Sequence, residues 1–245
     1  MEDISSFTKK IGSFIKRCEE GNVILLNFID DAERSVVENL TKYASFNVQF
    51  EGGIAHSDRV RCIFSPYEIE KDDFKIKVYQ IVYNKKFYEL YHRSILGSIM
   101  SLGIKRECLG DIVIKDNKDA FFACTQEISS YLENEFHSVG KASISLKEVN
   151  YPISNEIKYE TKTYFLSSMR LDVVIAGAYS LSRKETLDLL TNSEVYLNHI
   201  LNQNPSNVCK LNDEISVRHY GRIKITSVGN LSKSGRIAVE ISKRV

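Results

Sequence analysis

Between Phe74 and Val149 the spacing of apolar residues changes from one short run to the next, and the order of those changes leaves few folds open. The run "FKIKVYQIVY" (74–83) reads as a strand, while "HRSILGSIMSL" (92–102) returns its apolar residues every three or four positions and stops at Gly103, as a helix does. Strands follow at "DIVIKD" (111–116) and "AFFACT" (120–125) around Asn117 and Lys118. A second helix, "EISSYLENEFHSV" (127–139), stops at Gly140, and "ASISLKEV" (142–149) closes the set. The order βαββαβ is the split βαβ arrangement of a ferredoxin- or RRM-like domain.

The flanks read differently. Before this core, helices are expected at about Ile4 to Arg17 and Ala32 to Tyr43, then short strands at "FNVQF" and "VRCIF" joined through Gly52 and Gly53. After it, Leu171, Val174, Ile175 and Ala178 form one face of a short helix, a second helix starts at Ser182 with Leu187 and Leu190 facing inward, and the remainder is strand-like. Prolines occur only at 66, 152 and 205, so boundaries rest on the polar stretches "SPYEIEKDD" and "NYPISNEIKYETK". The expected architecture is α+β in three small domains: an N-terminal α+β unit over 1–73, the βαββαβ domain over 74–150, a linker over 151–168, and a C-terminal module of two helices on a small β-sheet over 169–245.

Composition excludes several classes. With 43% hydrophobic residues, 27% charged and a net charge of +1, the chain is not an indiscriminate polycation. Cys18, Cys62, Cys108, Cys124 and Cys209 are odd in number and never in a C-x-x-C pair, which fits neither a disulfide framework nor a zinc site. Without a signal-peptide pattern or an apolar run of membrane length, a cytoplasmic, monomeric protein without membrane contact, metal or cofactor is expected. Neither a P-loop nor a dinucleotide-binding glycine motif occurs, and His56, His92, His137, His199 and His219 are dispersed.

Charge is unevenly spread. From Met169 onward eleven basic residues face seven acidic ones, a surplus of four positive charges, which leaves −3 for the rest. In "ISVRHYGRIKI" the odd positions Ile215, Val217, Ile223 and Ile225 are apolar, and the even positions Ser216, Arg218, Tyr220, Arg222 and Lys224 are polar, basic or aromatic. Period two puts these sets on opposite faces, one the core and the other a basic strip with an aromatic, suited to phosphates and an unpaired base. Upstream, Ser182 and Glu185 spell a capping box, yet Arg183 and Lys184 inside it are cations at the positive end of a helix. That placement makes sense if an anion binds there, because helix N-termini hold phosphate well.

The segment "MRLDVVIAGAYSLSRKETLDLLTNSEVYLN" followed by "LNDEISVRHYGRIKI" resembles the RNA-binding module named after the fourth small-subunit ribosomal protein. Arg170, Leu171, Asp172, Ser182, Arg183, Val195, Asn198, Asp213, Ile215 and Val217 occupy the matching positions; Ser193, His199 and Asn212 stand where glycine is usual. "HRSILGSIMSLGIKRECLGDIVI", "LLNFIDDAERSVV" and "FEGGIAHSDRVRCIFSP" extend the likeness to the bacterial YlmH family over nearly the whole chain, with Ile54 and Ser57-Asp58-Arg59 departing from the usual loop. The resemblance implies a non-enzymatic RNA-binding protein that touches rRNA and tRNA on a stalled large ribosomal subunit carrying peptidyl-tRNA and supports alanine tailing in ribosome-associated quality control.

On these grounds the RNA-binding candidates are Arg170, Ser182, Arg183, Lys184, Asn198, Arg218, Tyr220, Arg222, Lys224 and Arg236, with His92, Arg93, Lys105 and Arg106 bracketing the middle domain's first helix as a second contact or a solvated helix end. Two rival readings stand beside this one. An RNA-modifying enzyme of the pseudouridine synthase type would use an aspartate in the context Arg170-Leu171-Asp172, and a cell-division scaffold would need no RNA at all.

Overall fold

The computed structural model describes residues 4–155, 159–198, 200–231 and 235–244. The chain folds into two compact units, Met1–Glu156 and Ile157–Val245.

The first unit begins with α1 (Ile4–Glu19), β1 (Ile24–Leu25), α2 (Asp31–Leu40), β2 (Asn47–Glu51) and β3 (Arg61–Ser65). The strands form an antiparallel sheet in the order β1-β3-β2. Phe7, Ile11 and Cys18 recur along one stripe of α1 and are buried against Val37 of α2 and against Cys62 and Phe64 of β3. α2 starts where its sequence signals it: Asp30 Oδ1 accepts from the Glu33 amide at 3.0 Å, and Glu33 Oε2 accepts from the Asp30 amide at 2.9 Å.

The rest of this unit is β4 (Ile76–Tyr83), α3 (His92–Ser101), β5 (Leu109–Ile114), β6 (Ala120–Thr125), α4 (Gln126–Glu135), β7 (Ser138–Val139) and β8 (Ala142–Glu148). The sheet order is β5-β6-β4-β8-β7, the expected βαββαβ set with the short β7 added at one edge. One face packs on the two helices through Tyr79, Ile81, Ile95, Ile99, Phe122 and Leu132. The other face is also covered: Ile76, Val78, Val113, Phe121 and Ala123 meet Phe28 and Ile54 from the N-terminal segment and Ile153. The two segments expected as separate domains therefore share a core.

The approach along that seam is close enough to require glycine. A Cβ on Gly110 would lie 2.7 Å from the Phe28 ring, and Gly53, at φ +77°, would put one 2.6 Å from Ile76. Arginines bind the seam through carbonyls. Arg59 donates to Phe28 O at 2.8 Å and Leu109 O at 3.1 Å, while Arg61, 2% exposed, donates to Leu26 O and Phe74 O, each at 2.9 Å. Asp111 accepts from the amides of Asp58 at 2.8 Å and Arg59 at 3.1 Å.

The second unit consists of β9 (Tyr159–Leu166), α5 (Leu171–Tyr179), α6 (Arg183–Thr191), β10 (Val195–Leu197), β11 (Ile200–Leu201), β12 (Glu214–Val217), β13 (Gly221–Leu231) and β14 (Ile237–Arg244). Its antiparallel sheet runs β11-β10-β12-β13-β14-β9. The stretch expected as a linker thus supplies an eight-residue edge strand, in full register with β14 from Tyr159↔Arg244 to Leu166↔Ile237. Both helices lie on one face, where Leu171, Val174, Ile175 and Leu190 meet Val195, Ile215, Ile223, Ile225 and Val239. Each such side chain contributes about 1.5–3 kcal/mol by leaving water.

Candidate nucleic-acid interface

The run "ISVRHYGRIKI" is a hairpin rather than one strand. Arg218, His219 and Tyr220 form its turn, with His219 at φ +69° and Gly221 at φ +95°. The parity reading survives the bend because Val217 pairs with Gly221, Ser216 with Arg222, Ile215 with Ile223 and Glu214 with Lys224, so odd always meets odd. Ile215, Val217, Ile223 and Ile225 are buried, and Ser216, Arg222 and Lys224 lie on the other face. The strip is less basic than expected, however. Glu214 shares that face by the same parity, and Arg222 Nε sits 3.1 Å from its carboxylate. Lys224 is exposed and cross-strand from the same glutamate.

The capping box forms as its residues suggest. Glu185 N donates to Ser182 Oγ at 3.2 Å, Ser182 N donates to Glu185 Oε2 at 2.8 Å, and the hydroxyl of Thr186 adds a bond to Ser182 O at 3.0 Å. Hydrogen bonding to Ser182 holds the Glu185 carboxyl below the usual range. Arg183 and Lys184 occupy the first turn of α6, exposed, and make no side-chain hydrogen bond or ion pair among the described residues. Two exposed cations at the positive end of a helix are a geometry in which an anion would be favoured.

Other candidates are engaged within the protein. Arg170 grips Asp172 with two bonds, Nε to Oδ1 at 3.0 Å and Nη2 to Oδ2 at 2.9 Å, and Asp172 also accepts from the Val173 amide. This grip, helped by the more distant Arg183 cation, holds the Asp172 carboxyl below the usual range despite 5% exposure. Asn198, at φ +49°, ties β10 to β12 by donating to Asp213 Oδ1 and accepting from the Glu214 amide, both at 2.9 Å. Arg236 is exposed just before β14; Lys233 and His199 lie outside the described residues.

Two residues outside the candidate set organise this end of the module. Tyr179, at the end of α5, donates its hydroxyl to Gly221 O at 2.8 Å, packs edge-on against Tyr220 with centroids 5.5 Å apart, and lies under the Lys243 ammonium at 4.8 Å. It ties the hairpin turn, with exposed Arg218, to the α5–α6 junction that precedes Ser182. The signal for Tyr179 was available in its i, i+4, i+8 relation to Leu171 and Ile175.

The middle-domain candidates do not form one group. His92 and Arg93 occupy the first turn of α3, and Lys105 is exposed. Burial, and then the Arg106 cation, lower the His92 pKa from its ordinary value. Arg106 donates to Leu109 O at 2.7 Å and Gly110 O at 3.2 Å, and burial followed by Arg59 pulls its guanidinium down to about 10. Its Nη1 is directed into the fold. Among the described residues no cluster of His, Cys, Asp or Glu is placed to hold a metal ion, and no helix is long and apolar enough to cross a membrane.

The fold is of the α+β class, and the likenesses to known proteins point to RNA binding. Residues 69–152 match the family model described as the putative RNA-binding domain in YlmH. The chain is 28% identical over 230 residues, 92% of its length and 89% of the relative's, to ribosome-associated protein quality control protein P2 of Bacillus subtilis (strain 168). A solved structure described as cell division protein ylmH from Streptococcus pneumoniae is 29% identical with a TM-score of 0.51, covering 58% of this chain and 88% of that one. Residues 69–152 thus carry a domain of the YlmH RNA-binding type, and most of the chain is similar to a ribosome-associated quality control protein.

Proposed function

We propose that this protein binds rRNA and tRNA on the ribosome, at a large subunit holding a stalled peptidyl-tRNA, and acts without catalysis in ribosome-associated quality control, supporting alanine tailing of the nascent chain. The observation that carries the RNA contact is the exposed pair Arg183 and Lys184 at the capped start of α6, beside a hairpin turn bearing Arg218. The ribosomal setting rests on the Bacillus subtilis relative, whose name states ribosome association and quality control. A cytoplasmic monomer suits this role.

Asp172 supports the non-enzymatic reading over a synthase. Both its oxygens accept from Arg170, one also from a backbone amide, and the side chain is nearly buried, so the carboxylate is engaged within the fold as a structural anchor.

The test is co-sedimentation of the full chain with ribosomes across a salt series. If about five phosphates are neutralised, the logarithm of affinity falls with the logarithm of salt at a slope of about −3.5 for single strands or −4.5 for duplex. A flat response, or association that survives RNase, would favour a protein scaffold, the reading suggested by the cell-division title of the Streptococcus relative. Crosslinking in cells with sequencing of the bound RNA then names the target.

A further inference from the structure

The middle domain matches an RNA-binding family model, yet its sheet offers no face to a base. Helices α3 and α4 fill one side, and Phe28, Ile54 and Ile153 fill the other. Aromatic platforms on the strands, the usual means by which such sheets hold unpaired bases, are closed off. Any contact must use loops.

The loop from β4 to α3 has the needed chemistry. In "NKKFYELYHR", Asn84 to Arg93, Phe87 is 71% exposed, Tyr91 62% and Tyr88 40%, a cluster of three large aromatics held in water within five residues. Lys85, Lys86 and Arg93 against Glu89 leave the segment at +2. It is not a loose strap. Asn84 O accepts from the amides of Phe87 at 3.2 Å and Tyr88 at 3.1 Å, Asn84 Oδ1 accepts from the Lys86 amide at 3.2 Å, and Leu90 is buried in the helix-side core. Tyr83 donates to Lys118 O at 2.8 Å, Lys118 pairs with Glu89 at 3.7 Å, and Lys85 pairs with Asp119. The backbone is pinned to the β5–β6 turn while the rings stay outside, and Lys86 lies 5.8 Å from the Phe87 ring.

We infer that the Asn84–Arg93 loop is a second RNA contact that takes an unpaired strand, with bases stacking on Phe87 and Tyr91 and phosphates meeting Lys86 and Arg93. This deepens the RNA-binding reading and rests on it. Rings interleaved with cations fit single-stranded nucleic acid because every base has a face to stack and every step a phosphate to neutralise. The contact is tolerant of sequence for the same reason.

The test uses the full chain and a mixed-sequence oligoribonucleotide of about 12 nucleotides, within the usual site sizes for unpaired strands. Ultraviolet crosslinking followed by peptide mapping is expected to label residues within 84–93. The variant Phe87→Ala/Tyr91→Ala should bind at least roughly 25-fold more weakly, since each of the two stacked bases accounts for roughly fivefold or more in affinity. Lys86→Glu, which touches no core residue, should weaken binding by a smaller factor and reports on the same loop if the aromatic variant melts early. Arg183→Glu/Lys184→Glu is the reference. If that variant loses affinity and both loop variants stay within about twofold of the parent, the loop contact is overturned and the C-terminal site stands; if no variant loses affinity, the RNA reading of both sites fails. Loop variants that keep RNA affinity but lose RNase-resistant association with ribosomes would show a protein-docking loop and also overturn the inference.

Discussion

The five-stranded sheet of the first unit is covered on both faces, and the six-stranded sheet of the second on one. The difference determines where each can meet a polyanion. In β6 every residue from Ala120 to Thr125 is buried, so Phe121 and Phe122 point to different cores and neither is free to stack a base. In β12 and β13 buried Ile215, Val217, Ile223 and Ile225 alternate with Ser216, Arg222 and Lys224, so half of each strand remains for function. A sheet covered on both faces has only loops to offer, whereas a sheet covered on one face offers that surface and the helix ends bordering it.

The largest expected effect attacks the second cover. Phe28 is 1% exposed and lies against Gly110 and Phe121. Phe28→Ala should destabilise the first unit by about 3–5 kcal/mol, seen as faster hydrogen exchange in β5 and β6 with exchange in β12 to β14 unchanged. A loss below about 1 kcal/mol would mean that the face is not truly packed and that the contrast between the sheets is false.

Next comes the Arg170–Asp172 grip, the polar anchor of the one-faced sheet's first helix. Asp172→Asn should cost about 2 kcal/mol at neutral pH, the range for hydrogen bonds to a charged group. Arg170 holds the Asp172 carboxyl below its ordinary pKa in the folded protein. Its stabilisation is therefore present above the unfolded carboxyl value of about 4 and lost as pH falls through the lower folded value. Denaturant melts should show the gap between parent and variant at neutral pH and its closure in acid. A gap that persists at low pH would assign the cost to packing instead.

How much of this was legible follows from the distances over which each signal acts. The capping box at Ser182 and Glu185 spans three residues and could be read directly, as could the parity of the hairpin, since a turn pairing Val217 with Gly221 preserves it. The apolar stretch "AFFAC" shows no polar alternation, the pattern of a strand buried on both faces, although reading it as a strand did not require that pattern. What covers its second face was not legible, because Phe28 and Ile54 come from segments distant in sequence. Polar fates were the least visible. Arg106 reads as a surface cation yet donates to two carbonyls, and Glu214 belongs to the strip by parity but neutralises Arg222. The edge strand Tyr159–Leu166 read as linker because Glu160 to Thr163 are exposed, leaving Leu166 as its fully buried apolar residue.

A smaller effect tests the helix end that borders the open sheet. Arg183→Glu should lower RNA affinity about tenfold, roughly 1.4 kcal/mol, while leaving the melting temperature unchanged or slightly raised, because a carboxylate at a helix N-terminus stabilises by about 0.3–1 kcal/mol. Opposite signs in binding and stability distinguish a binding residue from a structural one. A variant that binds normally removes Arg183 from the interface.

The smallest effects lie within the strip and ask whether Glu214 matters. If Lys224 meets a phosphate, Lys224→Ala should reduce the steepness of the salt dependence by about one contact, a change in slope of roughly 0.7 to 0.9. Arg222→Ala should change it less, because part of the guanidinium's charge is already met by Glu214 at 3.1 Å and no full counterion is released on binding. Glu214→Gln should then restore Arg222 as a phosphate ligand, raising affinity and steepening the slope. Equal slopes for Lys224→Ala and Arg222→Ala would mean that Glu214 swings away when RNA binds. In that case the neutralised strip seen here is the resting form of a more basic surface, and the one-faced sheet contributes more charge to binding than its free geometry displays.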